Sequence, residues 1–317
     1  MARNPVQFQK GLSVADFQGR YGAEDQCEAA LIAMRWPDGF VCPHCQSARH
    51  SYSPARRHFQ CSDCRVQTSV KAGTVFHKST TPLTKWFLAI YLLTQSKNDV
   101  AALEMARQMG VKWDTAWLIK QKLMEVMRKR NEHYKLEGDV QIDDAYLGGA
   151  KPGKRGRGAG NKSPFVIAVA TRDGKPTYTQ LRCVDGFTKT VLKAYAQANL
   201  ALGTLVLSDG LACFEGIAEA GIDHLAINTG AGRPKDARFK WVNTALGNIK
   251  SAITGTVRSL TPFHAKRYLA AYEYRFNRRL DLPAMIERLA SVAVRALPTP
   301  YRMLADVRTR MPADVPG

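Results

Sequence analysis

The sequence predicts a multidomain α+β chain, in which a cysteine-rich ribbon and a helical region precede a mixed five-stranded sheet with helices. Three observations carry this. Two C-x2-C pairs lie between Cys42 and Cys64, separated by 15 residues. An apolar pattern of helical spacing, broken by one glycine, runs from Val100 to Arg130. After Glu137, apolar runs of strand length follow one another before helical spacing returns. The 317 residues suffice for about two domains with cores of their own. Lys and Arg number 46 against 27 Asp and Glu, a formal net charge of +19. That sign and size point to a polyanionic partner, nucleic acid ahead of anionic membrane. The longest apolar run, Trp86 to Leu93, falls far short of the ~20 residues that cross a bilayer. The amino-terminal MARNPVQFQKGLSVADFQ has no apolar stretch leading to a small-residue cleavage site. A soluble, cytoplasmic, basic chain without membrane association is expected.

Seven cysteines are an odd number for a disulfide framework. Cys42, Cys45, Cys61 and Cys64 have the spacing of a zinc ribbon, whose two knuckles set four thiolates around one ion. Four thiolates close the coordination sphere, so this zinc is expected to be structural. His44, His50 and His58 lie nearby, but no gap in the set requires them. Cys27, Cys183 and Cys213 stand alone as small apolar residues.

Residues 24–35 read as a short amphipathic helix ended by the Pro-Asp-Gly turn at 37–39. Within the ribbon, Phe59, Gln60, Val66 and Thr68 suit short strands. Residues 82–95 are helical by spacing, with Trp86, Ile90 and Leu93 on one side. From Val100 to Arg130, Ala106, Gly110, Val111, Ala116 and Ile119 give the internal pattern of a helix-turn-helix, with Gly110 at the turn and the second helix from Trp113 onward. An ordinary helix pair gives much the same pattern. Lys112, just before the second helix, and Lys120 and Lys122 on it favour DNA contact.

Strands are expected over Val140–Leu147, Phe165–Ala170, Thr177–Cys183, Thr204–Leu207 and Ile222–Ile227, and helices over 188–201, 239–255 and 262–279. Three antiparallel strands, helix, strand, helix, strand, helix is the order of a ribonuclease-H-like α/β domain. The domains then divide as 1–39, an amino-terminal helical segment; 40–75, the ribbon; 76–135, the helix-turn-helix region; 136–280, the sheet domain; and 281–317, a helix and tail. The loop Gly148 to Ser163 carries Lys151, Lys154, Arg155, Arg157 and Lys162 with no carboxylate. It suits a phosphate backbone or an ordinary solvated hairpin.

Asp143 lies mid-strand in QIDDAYLGG, where a carboxylate asks for an explanation. Asp209 ends the fourth strand in LVLSDG, which would also make a plain turn. In this fold the first and fourth strands are neighbours, so the two carboxylates would face each other and hold divalent metal. A later helix offers Asn243 and, seven residues on, Lys250. Seven residues fall only about 20° short of two turns, so both share one face. Tyr268, Tyr272 and Phe276 at intervals of four read as core packing. Arg275, Arg278 and Arg279 beside them read as a solvated face or as DNA contacts.

These motifs together resemble the ISXO-type zinc-ribbon insertion-sequence transposases of the acidic-triad superfamily. The resemblance runs from about Tyr21 to Leu304, through EDQCEAALIAMRWPDGFVCPHC, PLTKWFLAIYLL, IDDAYLGG, LSDG, VNTALGNIKSAITGT and RYLAAYEYRFNRR. It implies a front end that binds double-stranded element ends and a catalytic domain that uses magnesium or manganese, two ions in the two-metal scheme. Carried over, the three catalytic positions are Asp143, Asp209 and Asn243, with Lys250 after them reaching DNA phosphate. Asp143 would bridge the ions, and Asp209 and Asn243 would help hold one each. Asparagine at the third position removes a negative charge; Asp144, Glu215 and Asp236 are the carboxylates whose positions leave them open as replacements. The implied reaction is nicking at the element's end, then joining of the 3′-hydroxyl to a target, by a homo-oligomer on paired ends in the nucleoid. A binding-only regulator and a ribonuclease-H-like nuclease without joining are the alternatives.

Overall fold

The computed structural model describes residues 9–148, 162–228, 237–257 and 260–305. The chain divides into two compact units, residues 1–126 with 280–317, and residues 127–279.

The first unit begins with α1 (Val14–Tyr21), capped by Ser13, whose hydroxyl accepts the Asp16 N–H. Then come α2 (Glu24–Arg35) and a three-stranded antiparallel sheet, β1 (His50–Ser53), β2 (His58–Cys61) and β3 (Gln67–Ser69). Phe40 stacks on Phe59 at 4.5 Å, and Trp36 packs edge-on against both rings. The ribbon is tied to α2 by Arg57, which pairs with Glu28 and Asp25, and by Arg35, which donates to the Ser69 and Val70 carbonyls. Helix α3 (Leu83–Gln95) is apolar on nearly every side and correspondingly buried, with Trp86, Phe87, Ile90 and Leu93 all inside. The Glu24 carboxylate of α2 accepts the Leu83 and Thr84 N–H groups and so caps α3. Helix α4 (Ala102–Met109) ends at Gly110, whose φ of 63° allows the left-handed turn, and α5 (Trp113–Asn131) follows.

The second unit is a five-stranded mixed sheet of β4 (Asp139–Leu147), β5 (Ser163–Arg172), β6 (Lys175–Cys183), β7 (Leu205–Ser208) and β8 (Asp223–Ala226). Their order is β6-β5-β4-β7-β8, antiparallel among β4, β5 and β6, parallel from β4 through β8. This is the ribonuclease-H-like order expected from the element succession. Strands β5 and β6 turn at Asp173 and Gly174, both at positive φ as a tight hairpin requires. On one face α6 (Lys189–Asn199), α7 (Glu215–Ala218) and the turn that precedes α7 cover Val140, Ile142, Val166 and Ala168 with Leu192, Ala196, Phe214 and Ile217. On the other, α8 (Lys240–Thr256) and α9 (Pro262–Asn277) cover Leu147, Phe165, Ile167 and Val169 with Val242, Ile249, Ala265 and Leu269.

Edge strand β6 is closed by side chains. Asn277 accepts from the Thr179 N–H and donates to the Thr179 carbonyl, Glu273 accepts the Leu181 N–H, and Arg279 donates to the Thr177 and Pro176 carbonyls. Arg275 is buried and Arg278 lies over the Tyr274 ring. These three arginines are therefore partly structural, a role that neither reading of their spacing included. Tyr272 packs against the sheet core. The carboxyl end returns to the first unit, where α10 (Met285–Arg295) buries Met285, Ile286, Leu289, Ala293 and Val294, followed by α11 (Tyr301–Leu304).

Candidate metal centres and catalytic site

The four ribbon cysteines converge. All four sulfur atoms lie within 4.8 Å of one another, with Cys42 and Cys64 at 3.6 Å and Cys45 and Cys61 at 3.5 Å. Bonds of about 2.3 Å to a tetrahedral zinc place sulfurs about 3.8 Å apart, so the set fits that ion. The two knuckles repeat one geometry. Gln46 and Arg65 take left-handed φ, and their N–H groups return to the Cys42 and Cys61 carbonyls. The N–H groups of Cys64 and Asp63 point at the Cys61 sulfur and pull its thiol down to about 6; those of Cys45 and His44 lower Cys42 in the same way. Thiolate, the form that binds metal, is favoured at the first cysteine of each knuckle.

The second cluster forms at the sheet's parallel junction. Strands β4 and β7 pair Asp139 with Leu205, Val140 with Val206 and Gln141 with Leu207. Two residues further the same register sets Asp143 level with Asp209. Carboxylate oxygens of Asp143, Asp144 and Asp209 all lie within 4.8 Å of one another, each side chain half-buried. Asp209 also accepts the Leu211 N–H at 3.1 Å, so the turn read from its sequence is present along with the cluster. Burial first, then the carboxylate of Asp144, pushes the Asp143 carboxyl up to about 7, and Asp209 adds to the effect. Three acidic groups held this close suit a divalent cation. At the residue before Asp209, the Ser208 hydroxyl and His224 Nε2 are 2.8 Å apart, a contact with no local signal in the sequence.

Asn243 and Lys250 are exposed on α8, beside the buried stripe Val242, Ala245, Ile249 and Ala252. The positive charge of Lys250 acts on Asp143 and opposes the upward shift. Among the carboxylates that position alone left open, Asp144 joins the cluster, Glu215 pairs with Lys189, and Asp236 lies outside the described residues.

The cations assigned to DNA contact separate. Lys112 is exposed. Lys120 is 1% exposed, pairs with Asp99 at 2.6 Å and donates to the Val100 carbonyl, so the expectation that it reaches DNA is corrected: its charge is used inside the fold. Lys122 is half-buried near the Trp86 ring and the Val75 carbonyl, and burial lowers its pKa. Lys151, Lys154, Arg155 and Arg157 lie outside the described residues. No described helix is long and apolar enough to cross a membrane.

A closed four-cysteine ribbon ahead of a ribonuclease-H-like sheet with clustered aspartates defines the class, a zinc-ribbon protein of the acidic-triad type. Comparison with known proteins gives two domain matches. Residues 135–277 match the ISXO2-like transposase domain and residues 22–67 match the transposase zinc-ribbon domain. The chain therefore carries a transposase zinc-ribbon domain followed by an ISXO2-like transposase domain. An uncharacterized protein in transposable element ISH50 of Halobacterium salinarum is 30% identical over 161 residues. That alignment covers 50% of this chain and 52% of the relative, about half the length of each. Among solved structures, a pre-cleavage Mos1 transpososome gives 11% identity and a TM-score of 0.24, covering 65% of this chain and 78% of that one. The Mos1 transposase paired-end complex with left transposon end gives 10% and 0.19, covering 67% and 79%. Both superpositions are shallow, and the fold assignment rests on the strand order.

Proposed function

We propose that this chain binds the double-stranded ends of its own element and carries out magnesium- or manganese-dependent cleavage followed by 3′-hydroxyl strand transfer. The observation that supports it most is the approach of Asp143, Asp144 and Asp209 to within 4.8 Å at the junction of β4 and β7. These three would hold the cation, with Asn243 offering a neutral carbonyl oxygen. When bound, divalent metal supplies a lowered pKa for an attacking water or hydroxyl and neutralises charge on the leaving oxygen.

Everything else falls to the chain's own groups. The carboxylates orient the site toward a phosphodiester, and Lys250 offsets the negative charge that a phosphate brings beside them. In the first step water attacks phosphorus at the element's end, the bond to the 3′-oxygen breaks, and that oxygen leaves with a proton as a 3′-hydroxyl. In the second, this hydroxyl loses its proton and attacks a target phosphorus, forming one phosphodiester as another breaks. No covalent enzyme intermediate is needed, so no serine or cysteine nucleophile is called for. The exposed Lys112, the ribbon and the cations of residues 151–157 are the proposed DNA contacts. A homo-oligomer on paired ends, working on DNA in the cytoplasm, follows from the same family resemblance.

The test uses purified protein with a labelled duplex containing the DNA that flanks its own gene, with and without magnesium. Nicks at defined ends and joined products, lost in Asp143→Ala and Asp209→Ala while end binding persists, are expected. Unchanged cleavage in either variant would overturn the site. Cleavage without any joined product would leave a nuclease.

A further inference from the structure

Asn243 is neutral and exposed, so its use at the cluster depends on how firmly the start of α8 is held. The helix begins at Lys240, and its N-cap residue, Phe239, has no side chain that can accept a hydrogen bond. The first-turn N–H groups therefore need an acceptor from elsewhere. The acceptor is Gln141, 100 residues earlier and on the central strand β4. Its Oε1 takes the N–H groups of both Trp241 and Val242, each at 3.0 Å. A carbonyl oxygen has two lone pairs, and both are used. Gln141 is buried and stands two residues before Asp143, on the same face of the strand. The next residue along the helix after this pair is Asn243. A second tether holds the same turn, because the Trp241 indole donates to the Gly174 carbonyl in the β5–β6 hairpin at 2.8 Å.

We infer that Gln141 is a positioning residue: it fixes the amino terminus of α8 to the strand that carries Asp143, and so sets Asn243 against the acidic cluster. One side chain thus couples two of the three proposed catalytic positions through the backbone of α8. This inference rests on the proposed transposase reading. The chemistry asks only for an acceptor, so Gln141→Glu should hold the same two N–H groups, with its charge favoured by the helix terminus. Gln141→Leu fills the space and accepts nothing.

The experiment measures Mn2+ binding by calorimetry and amide hydrogen exchange on the full chain, for wild type, Gln141→Leu, Gln141→Glu, Asn243→Ala and the Gln141→Leu/Asn243→Ala double variant. Gln141→Leu is expected to weaken Mn2+ binding about tenfold and to release the Trp241 and Val242 amides from protection, while the sheet stays protected. Gln141→Glu should restore both, which a loss of packing would not explain. The double variant should bind no more weakly than Asn243→Ala alone, because Gln141 acts through Asn243. Additive losses, or wild-type Mn2+ binding in Gln141→Leu, would overturn the positioning role. Continued protection of the two amides in Gln141→Leu would overturn the clamp. Absence of Mn2+ binding in the wild type would instead remove the proposed function, and the amides would still report whether the clamp exists.

Discussion

Asp143 and Lys120 show how far a residue's identity is from its role. The Asp143 carboxyl, raised from 3.8 to about 7, holds its proton in the metal-free fold over a range where the unfolded chain has lost it. Its contribution to stability is therefore lost as pH rises from about 4 to about 7. In chelator at about pH 8, Asp143→Asn should be more stable than wild type by roughly 1–3 kcal/mol, and the difference should vanish near pH 4. Urea unfolding across that range checks it. Metal needs the ionised carboxylate, so Mn2+ affinity should be about tenfold weaker at about pH 6 than at about pH 8, read by titration calorimetry. Lys120 is a cation buried against Asp99, and Lys120→Ala should destabilise the fold by about 3 kcal/mol. Lys112→Ala, at an exposed site, should change stability by less than about 0.5 kcal/mol and lower affinity for end duplex. Thermal melts and a binding titration on both variants separate the two roles. In sequence the two lysines look alike, because burial of one depends on Asp99, 21 residues away.

At the scale of elements, the helices and strands were legible because their signals are local. The helix over residues 24–35, the break at Gly110 and the succession of strands after Glu137 stand where period and turn chemistry put them. Strand β1 and helix α1 gave weaker signals: HSYS is exposed throughout, so no alternation marks it. The aromatic stripe of α9 was readable as packing, but the destination of its polar residues was not. Glu273 and Asn277, with Arg279 just past the helix end, serve backbone groups of β6 lying about 100 residues upstream. Asn277→Ala should leave the Thr179 N–H and carbonyl without that partner and lower stability by about 1–3 kcal/mol, with more aggregation from the opened edge. Denaturant titration and light scattering measure the two effects.

For the whole molecule, charge is the property that composition states most directly. A net +19 on a chain proposed to bind DNA implies extensive release of counterions. Affinity for end duplex should fall about 100-fold or more between about 50 and 200 mM salt, linearly on a log–log plot of fluorescence anisotropy data. A flat response would contradict a phosphate-dominated interface. The partner of the carboxyl-terminal helix is a long-range matter. Residues 281–317 read as a helix and tail, and that helix, α10, packs within the first unit against α2 and α3, more than 180 residues earlier in the chain.

The sequence by itself determined the zinc ribbon, the order of elements and the pairing of Asp143 with Asp209. Each of these follows from spacing along the chain, or from a fold whose strand order is set by its succession of elements. Only the tertiary structure decided which neighbours complete the arrangement. Asp144 joins the acidic cluster, Lys120 turns inward, and Gln141 reaches the first turn of α8. A polar side chain goes where a partner satisfies it once water is excluded, and that partner is chosen by the packing of distant segments.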